Sequence, residues 1–280
     1  MNQPISFVIV NCNGRMFISS CINSLLTQSK PPGQIIVVDN GSSDGSLELL
    51  AESYPMVEVH ALRANTGLTH AYNIGLARAK FEWVVLANND IILDRFALEE
   101  LANATSSPSV LVTPMFLSMT VPHRPQTYPA MFAPSVTHPW SSMKRKVTSS
   151  ECLRTDISGL GLVLGHKNAF GRLDEAFPFY FNEDDFSLRC RRKNLKILLV
   201  PNSVVYHFGS GTIGRLSLHK IHLFMIGWVH YRIKWFPVWS LLPSTIFSLV
   251  LQAYQHLAVL LDKPELLLPS AETSENQGDS

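Results

Sequence analysis

Three strand-length runs, Ile5–Val10, Gln34–Val38 and Trp83–Ala87, each stop abruptly on short polar side chains: Asn11, Asp39-Asn40 and Asn88-Asn89-Asp90. Apolar residues at successive positions fit strands buried on both faces, in a sheet covered by helices. Between the runs lie helical patterns. Ile18, Ile22, Leu25 and Leu26 share one face closed by Pro31-Pro32, Leu47, Leu49 and Leu50 mark a second helix, and Asn65-Thr66-Gly67 opens a third through Ala79. Met56–Ala61 and Val110–Thr113 read as further strands, and Leu93–Ala104 as a further helix. This alternation predicts right-handed βαβ crossovers and an α/β fold with a mostly parallel central sheet flanked by helices. Open α/β sheets bind ligands at the carboxyl ends of their strands, where the polar residues stand.

Asp90 offers hard carboxylate oxygen at such an end, which suits Mg²⁺ or Mn²⁺ carrying a diphosphate. Asn-Asn-Asp is equally ordinary turn chemistry, so other segments must decide. One such segment is the aromatic approach Phe177, Phe179, Tyr180, Phe181, which delivers Asn182-Glu183-Asp184-Asp185 to the start of a helix over Phe186–Lys193. The helix macrodipole accounts for one or two of these acids. Three together cannot all ionise freely, so at least one pKa should rise. A carboxylate with a raised pKa is suited to general-base activation of a hydroxyl.

Other classes are disfavoured. A chain of 280 residues can form one large domain or one domain with an appendage. The formal net charge of +1 gives no electrostatic case for nucleic acid as a partner. Cys12, Cys21, Cys152 and Cys190 show neither a CxxC pair nor zinc spacing, and read as reduced, buried thiols. Ile157–Gly165 contains GxG without GxGxxG, so its glycines point to close backbone packing rather than a dinucleotide site. Residues 105–150 carry seven prolines and form a long irregular excursion of the kind that serves function. His123 and His138 lie in it without a partner at metal-ligand spacing. Beyond Asp174, Lys196–Val200 reads as a strand, Pro201-Asn202 as a turn and Val204–His207 as a second strand. Met1–Pro4 lead straight into the first strand with no signal peptide, giving the expectation of a cytoplasmic catalytic part.

Taken together, Phe7-Val-Ile-Val-Asn11, Val37-Val-Asp-Asn-Gly-Ser-Ser-Asp44, Asn65-Thr-Gly67, Asn73-Ile-Gly75 and Leu86-Ala-Asn-Asn-Asp90 resemble family 2 nucleotide-sugar glycosyltransferases of the GT-A fold. Phe181-Asn-Glu-Asp-Asp-Phe-Ser-Leu-Arg189 and Val204-Val-Tyr-His207 continue the match, in family order and spacing, over residues 5–215. The nearest resemblance is to the bacterial branch that builds polysaccharide and cell-envelope glycans, including rhamnosyltransferase-like members. It implies that Asn11 and Asp39 hold base and ribose, and that Asn65, Gly67 and Asn73 line the nucleotide pocket. It places Asn88 and Asp90 at the DxD-like element, with Asp90 on a Mg²⁺ or Mn²⁺ ion bridging the phosphates and His207 near the same metal. Gly209–Thr212 would form a flap over the leaving group. Glu183, Asp184 and Asp185 supply the base, and Arg189 serves the substrate.

The implied reaction is inverting transfer of a sugar from a UDP- or dTDP-sugar to a hydroxyl of a glycan or lipid-linked acceptor. Two departures stand out. Asn88 occupies a position where many relatives carry Asp, and the base falls on Glu183 counting six back from Arg189, or on Asp184 if the frame slips. The first frame keeps Asp185 four residues before Arg189 and is preferred. A nucleotidyltransferase would normally show a glycine-rich basic phosphate loop, which Asn11-Cys-Asn-Gly-Arg15 is not. A catalytically inactive sugar-nucleotide-binding scaffold is the other rival, with Asn88 as its motive.

Trp235–Leu261 contains no Asp, Glu, Lys or Arg, long enough to span a bilayer, but Pro237, Pro243, Gln252, Gln255 and His256 suit a spanning helix poorly. Before it, His219, Lys220, His222, His230, Arg232 and Lys234 alternate with Leu223, Phe224, Trp228 and Tyr231, as in an interfacial helix on anionic lipid. Packing against the protein and a true span are the alternatives. The expected organisation is a catalytic domain over 1–215, an apolar helical segment over 216–262 and a polar, disordered tail over 263–280. The expected location is peripheral, on the inner face of the cytoplasmic membrane.

Overall fold

The structure is a computed structural model, and it describes residues 3–105, 107–119, 130–132, 142–144, 151–155, 161–208 and 218–237. His123, His138, Gly209–Thr212 and the apolar and polar stretches after Pro237 lie outside the described residues. The chain begins β1 (Ile5–Asn11), α1 (Arg15–Leu26), β2 (Gln34–Asp39), α2 (Ser46–Ser53), β3 (Glu58–Ala61), α3 (Leu68–Arg78) and β4 (Trp83–Asn88). β1 lies between β2 and β4, and β3 flanks β2, all parallel. Every residue of β1 and β2 is buried, because helices cover both faces. Phe7, Ile9, Val37 and Val85 pack with Ile18, Ile22 and Leu25 of α1. The alternate residues Val8, Val10, Ile36, Val38 and Leu86 pack with Ala71, Tyr72 and Leu76 of α3. A Cβ at Gly75 would lie 2.1 Å from Val8 Cγ1, so this glycine is what lets α3 settle on the sheet.

The remainder is β5 (Ile91–Leu93), α4 (Ala97–Ala104), β6 (Val110–Ser118), β7 (Ala130–Phe132), β8 (Ser142–Lys144), β9 (Leu153–Thr155), β10 (Leu162–His166), α5 (Lys167–Phe170), α6 (Asn182–Arg192), β11 (Lys196–His207) and α7 (Leu218–Trp235). The sheet runs β3-β2-β1-β4-β10-β6-β11-β5, with β9 also on β11. β11 is parallel to β6, while β10 is antiparallel to β4 and β6, and β11 antiparallel to β5 and β9. The fold is thus α/β with a parallel N-terminal half and a mixed second half.

Several elements differ from expectation. Leu93–Ala104 is not one helix: β5 occupies Ile91–Leu93, a turn follows in which Asp94 accepts from Phe96 N (3.2 Å), and α4 starts only at Ala97. Three strand residues are too few to show a period. Pro201-Asn202 does not turn the chain; β11 runs through, and its ladder to β6 shifts register between Val200 and Val204. Pro201 has no N–H for a regular ladder, and the irregularity absorbs it. β7 and β8 pair antiparallel inside the proline-rich excursion. All four cysteines are free, but Cys152 is exposed and Cys12 half-buried, so only Cys21 and Cys190 are the buried thiols expected.

The sheet and its helices, with α7 as far as Tyr231, belong to one compact unit, and residues 232–237 to a second. Among the described residues no helix is long and apolar enough to cross a membrane.

Candidate active site

The register of the parallel strands sets Asn11 beside Asp39, and Val10 beside Asn88. Asn11 Nδ2 donates to Asp39 Oδ2 at 2.8 Å and to Ser42 Oγ at 3.2 Å, and Asn11 Oδ1 accepts from Asn89 Nδ2 at 2.6 Å. Asp39 accepts further from Ser42 N (2.8 Å) and Ser42 Oγ (2.7 Å). Both Asn11 and Asp39 are 0% exposed. Asn11 therefore stands as a brace that aims Asp39, with its amide committed to the protein. Asn89, read in the sequence only as the middle of the polar triplet and given no role of its own, closes this chain of amides. A Cβ at Gly14 would sit 1.8 Å from Asn89 Nδ2, so the turn after β1 must be glycine.

The loop before α3 is fixed in a similar way. Asn65 Oδ1 accepts from Asn40 Nδ2 and Gly67 N, both at 3.0 Å, while Asn40 Oδ1 accepts from Thr66 N at 2.9 Å. Gly67 has φ +92°, and a Cβ there would lie 2.8 Å from Pro178 Cβ. Pro178 O accepts from Leu68 N at 2.7 Å, and Phe177 O from Thr69 Oγ1 at 2.5 Å. The segment Phe177–Phe181 is thus strapped across the first turn of α3. Asn73 was expected in the nucleotide pocket. Its Nδ2 instead donates to Leu173 O (3.0 Å) and Glu175 Oε1 (2.8 Å), and its Oδ1 accepts from Leu173 N (2.8 Å), which anchors the loop leading into the strap. Glu175 also pairs with His70 and Arg172; His70, then Asn73, hold its carboxyl down at about 2. Neither Glu175 nor His70 carried a signal in the sequence.

At the other side of β1, the antiparallel ladder of β11 on β5 matches His207 to Ile91, and Phe208 N donates to Asp90 O at 3.0 Å. His207 Nε2 consequently lies 3.4 Å from Asp90 Oδ1. Among the described residues no three His, Cys, Asp or Glu side chains form a metal cluster. One carboxylate and one imidazole nevertheless fit Mg²⁺ or Mn²⁺ shared with phosphate oxygens, since such ions take few protein ligands beside a substrate. Asn88 Oδ1 accepts from the Tyr72 hydroxyl at 2.9 Å.

The acidic run opens α6, where negative charge is favoured, after Phe181 in the left-handed region at φ 63°. Phe181 holds that conformation against Phe224, Trp228 and Tyr231 of α7. The three carboxylates then diverge, as adjacent helical side chains must. Asp185, 1% exposed, accepts from Arg189 Nε at 3.0 Å, and Arg189 also donates to Arg172 O at 2.9 Å. Burial, with the charge of Asp185 adding to it, pushes Asp184 up to about 6. Glu183 is partly exposed. The Tyr72 hydroxyl is raised well above its ordinary pKa by burial first, then by the charges of Glu183 and Asp90. Glu183 and Asp90 thus act on one hydroxyl from two distant parts of the chain.

The profile described as "Glycosyl transferase family 2" matches residues 6–151, more than half of the 280. An uncharacterised glycosyltransferase of Nostoc is 31% identical over 112 residues, 39% of this chain and 35% of that protein. The N-acetylglucosaminyl-diphospho-decaprenol L-rhamnosyltransferase of Mycobacterium tuberculosis is 22% identical over 275 residues, covering 84% of this chain and 89% of that one. Among solved structures, GalNAc-T7 with UDP, GalNAc and Mn²⁺ superposes with a TM-score of 0.61 at 17% identity, covering 74% of this chain and 44% of that chain. That likeness concerns the fold. The chain spans about a third of its Nostoc relative and less than half of the superposed structure, but nearly all of the mycobacterial one.

Proposed function

The chain belongs to glycosyl transferase family 2, and from that premise we propose that it transfers a sugar, with inversion, from a UDP- or dTDP-sugar to a hydroxyl of a glycan or lipid-linked acceptor in cell-envelope glycan synthesis. Residues 1–215 act as the catalytic domain. The observation that carries the reading is the pairing of His207 with Asp90 just past the carboxyl end of β4, next to Asn88 in its hydrogen bond with Tyr72. The mycobacterial relative, whose name describes a polyprenyl-linked acceptor, supports the envelope context.

In this reading Asp39, aimed by Asn11, receives the nucleoside, with Asn65 and Gly67 shaping the loop above it. Asp90 and His207 would hold a divalent cation, which would supply charge stabilisation to the departing diphosphate. Glu183 takes the proton of the acceptor hydroxyl as its oxygen attacks the anomeric carbon opposite the nucleotide. The bond from that carbon to the diphosphate oxygen breaks as the new one forms, so configuration inverts without a glycosyl-enzyme. Asp185 and Arg189 keep α6 in place.

A thermal-shift screen of UDP, dTDP and other nucleoside diphosphates, with and without Mn²⁺, tests this. At about 100 times Kd, the matching nucleotide with Mn²⁺ should raise Tm by about 5–10 °C. No shift with any of them sinks the reading. Release of pyrophosphate from a nucleoside triphosphate would favour the nucleotidyltransferase instead. Binding without donor hydrolysis would favour an inactive scaffold.

We also propose peripheral attachment to anionic membrane through α7. From Leu218 to Pro237 there is no acidic residue, and Ile226, Val229 and Ile233 are exposed. Removing α7 is a poor test, because Trp228 and Tyr231 pack on Phe181. The variant Ile226→Glu with Lys234→Glu keeps those contacts. Wild type should sediment with phosphatidylglycerol vesicles and the variant should not; equal sedimentation rules the attachment out.

A further inference from the structure

Tyr72 is a helical residue of α3 with its ring wholly enclosed, yet its hydroxyl reaches the end of β4 and donates to Asn88 Oδ1 at 2.9 Å. A buried phenol oxygen must find a partner, and this one has found the DxD-like element. Along that element Ala87, Asn89 and Asp90 are buried, whereas Asn88 is partly exposed. A carboxamide that accepts through Oδ1 turns its Nδ2 to the opposite side. Asn89 Nδ2 is already spent on Asn11, and Asp90 faces His207, so Asn88 is the residue of the triplet whose donor is left for a ligand.

We propose that Tyr72 is a positioning residue that locks the Asn88 carboxamide with its Nδ2 toward the bound donor, where it hydrogen-bonds an oxygen of the diphosphate or sugar. This rests on the transferase reading above, and it changes what the departure at Asn88 means. An amide held this way is a hydrogen-bond donor to the nucleotide sugar. It is not a carboxylate ligand that has been lost.

The test is a double-mutant cycle of Tyr72→Phe and Asn88→Ala, read by calorimetric titration with UDP and with dTDP in Mn²⁺. Tyr72→Phe keeps the enclosed ring, so its Tm should stay close to wild type. Each single variant should weaken Kd by about three- to tenfold, the scale of one hydrogen bond. The double variant should be no weaker than Asn88→Ala alone, because Tyr72 acts through Asn88. In turnover assays Tyr72→Phe should raise KM for the donor and leave kcat nearly unchanged. Unchanged affinity in Tyr72→Phe, or effects that multiply in the double variant, overturn the proposal. If the wild type binds no nucleoside diphosphate at all, the transferase reading falls and this inference falls with it.

Discussion

Glu183→Gln is expected to lower kcat by about 10² or more with donor affinity little changed, the signature of a lost general base. The neighbouring carboxylates should respond differently. Asp184 has its pKa raised to about 6 by burial, so the folded state favours its protonated form. Its stability contribution is complete below about pH 4, the unfolded pKa, and is lost as pH rises through the folded value. Asp184→Asn removes the buried charge. It should therefore raise stability above wild type at pH 7.5, by at most about 3 kcal/mol and read as a higher Tm, and match wild type below about pH 4. Asp185→Asn breaks the ion pair with Arg189 and should lower Tm. The base is assigned to Glu183 from its place six residues before Arg189, while the raised pKa sits on Asp184, and the two variants separate these readings. An inactive, stabilised Asp184→Asn beside an active Glu183→Gln would move the role one residue along. Near-normal turnover in all three variants would remove the run from the chemistry altogether.

The second large effect is expected at Asp90. Asp90→Ala should abolish the dependence of nucleotide binding on Mn²⁺ and lower kcat by about 10² or more, since the cation's share of leaving-group stabilisation is several kcal/mol. His207 alone would remain, and a single imidazole is a weak site for a hard ion. Titration of UDP or dTDP with and without Mn²⁺ checks this directly. A variant that keeps the full Mn²⁺ response would discard the assignment of Asp90 and, with it, the divalent-cation reading of β4's end.

The ends of β1, β2 and β4 were legible in the sequence because each is a local event: an apolar run followed by a polar stop. The partners those ends acquire are not local. His207 reaches Asp90 only because β11 pairs with β5, a three-residue strand with no period of its own. Tyr72 drew no notice in the sequence, and its ring packs wholly in the core beneath α3. What the helix pattern of residues 65–79 could not reveal is that the far end of this ring meets Asn88. Asn11 and Asn73 were legible as important but not as braces, since an amide that touches ligand and one that touches backbone are spelled alike. Asp185 and Arg189, expected to serve base and substrate, stand at i and i+4 and are paired with each other in the structure.

Gly67, under Pro178, bears on any attempt to rebuild this protein by exchanging parts with its relatives. The loop over residues 65–67 and the strap over 177–181 are more than a hundred positions apart, but Gly67 lies directly against Pro178, and Leu68 N and Thr69 Oγ1, just past the loop, donate to Pro178 O and Phe177 O. A grafted loop carrying any side chain at position 67 would press on the strap and, through Phe181, on the first turn of α6. Donor loops can be transplanted into this scaffold only together with the strap, as a matched pair.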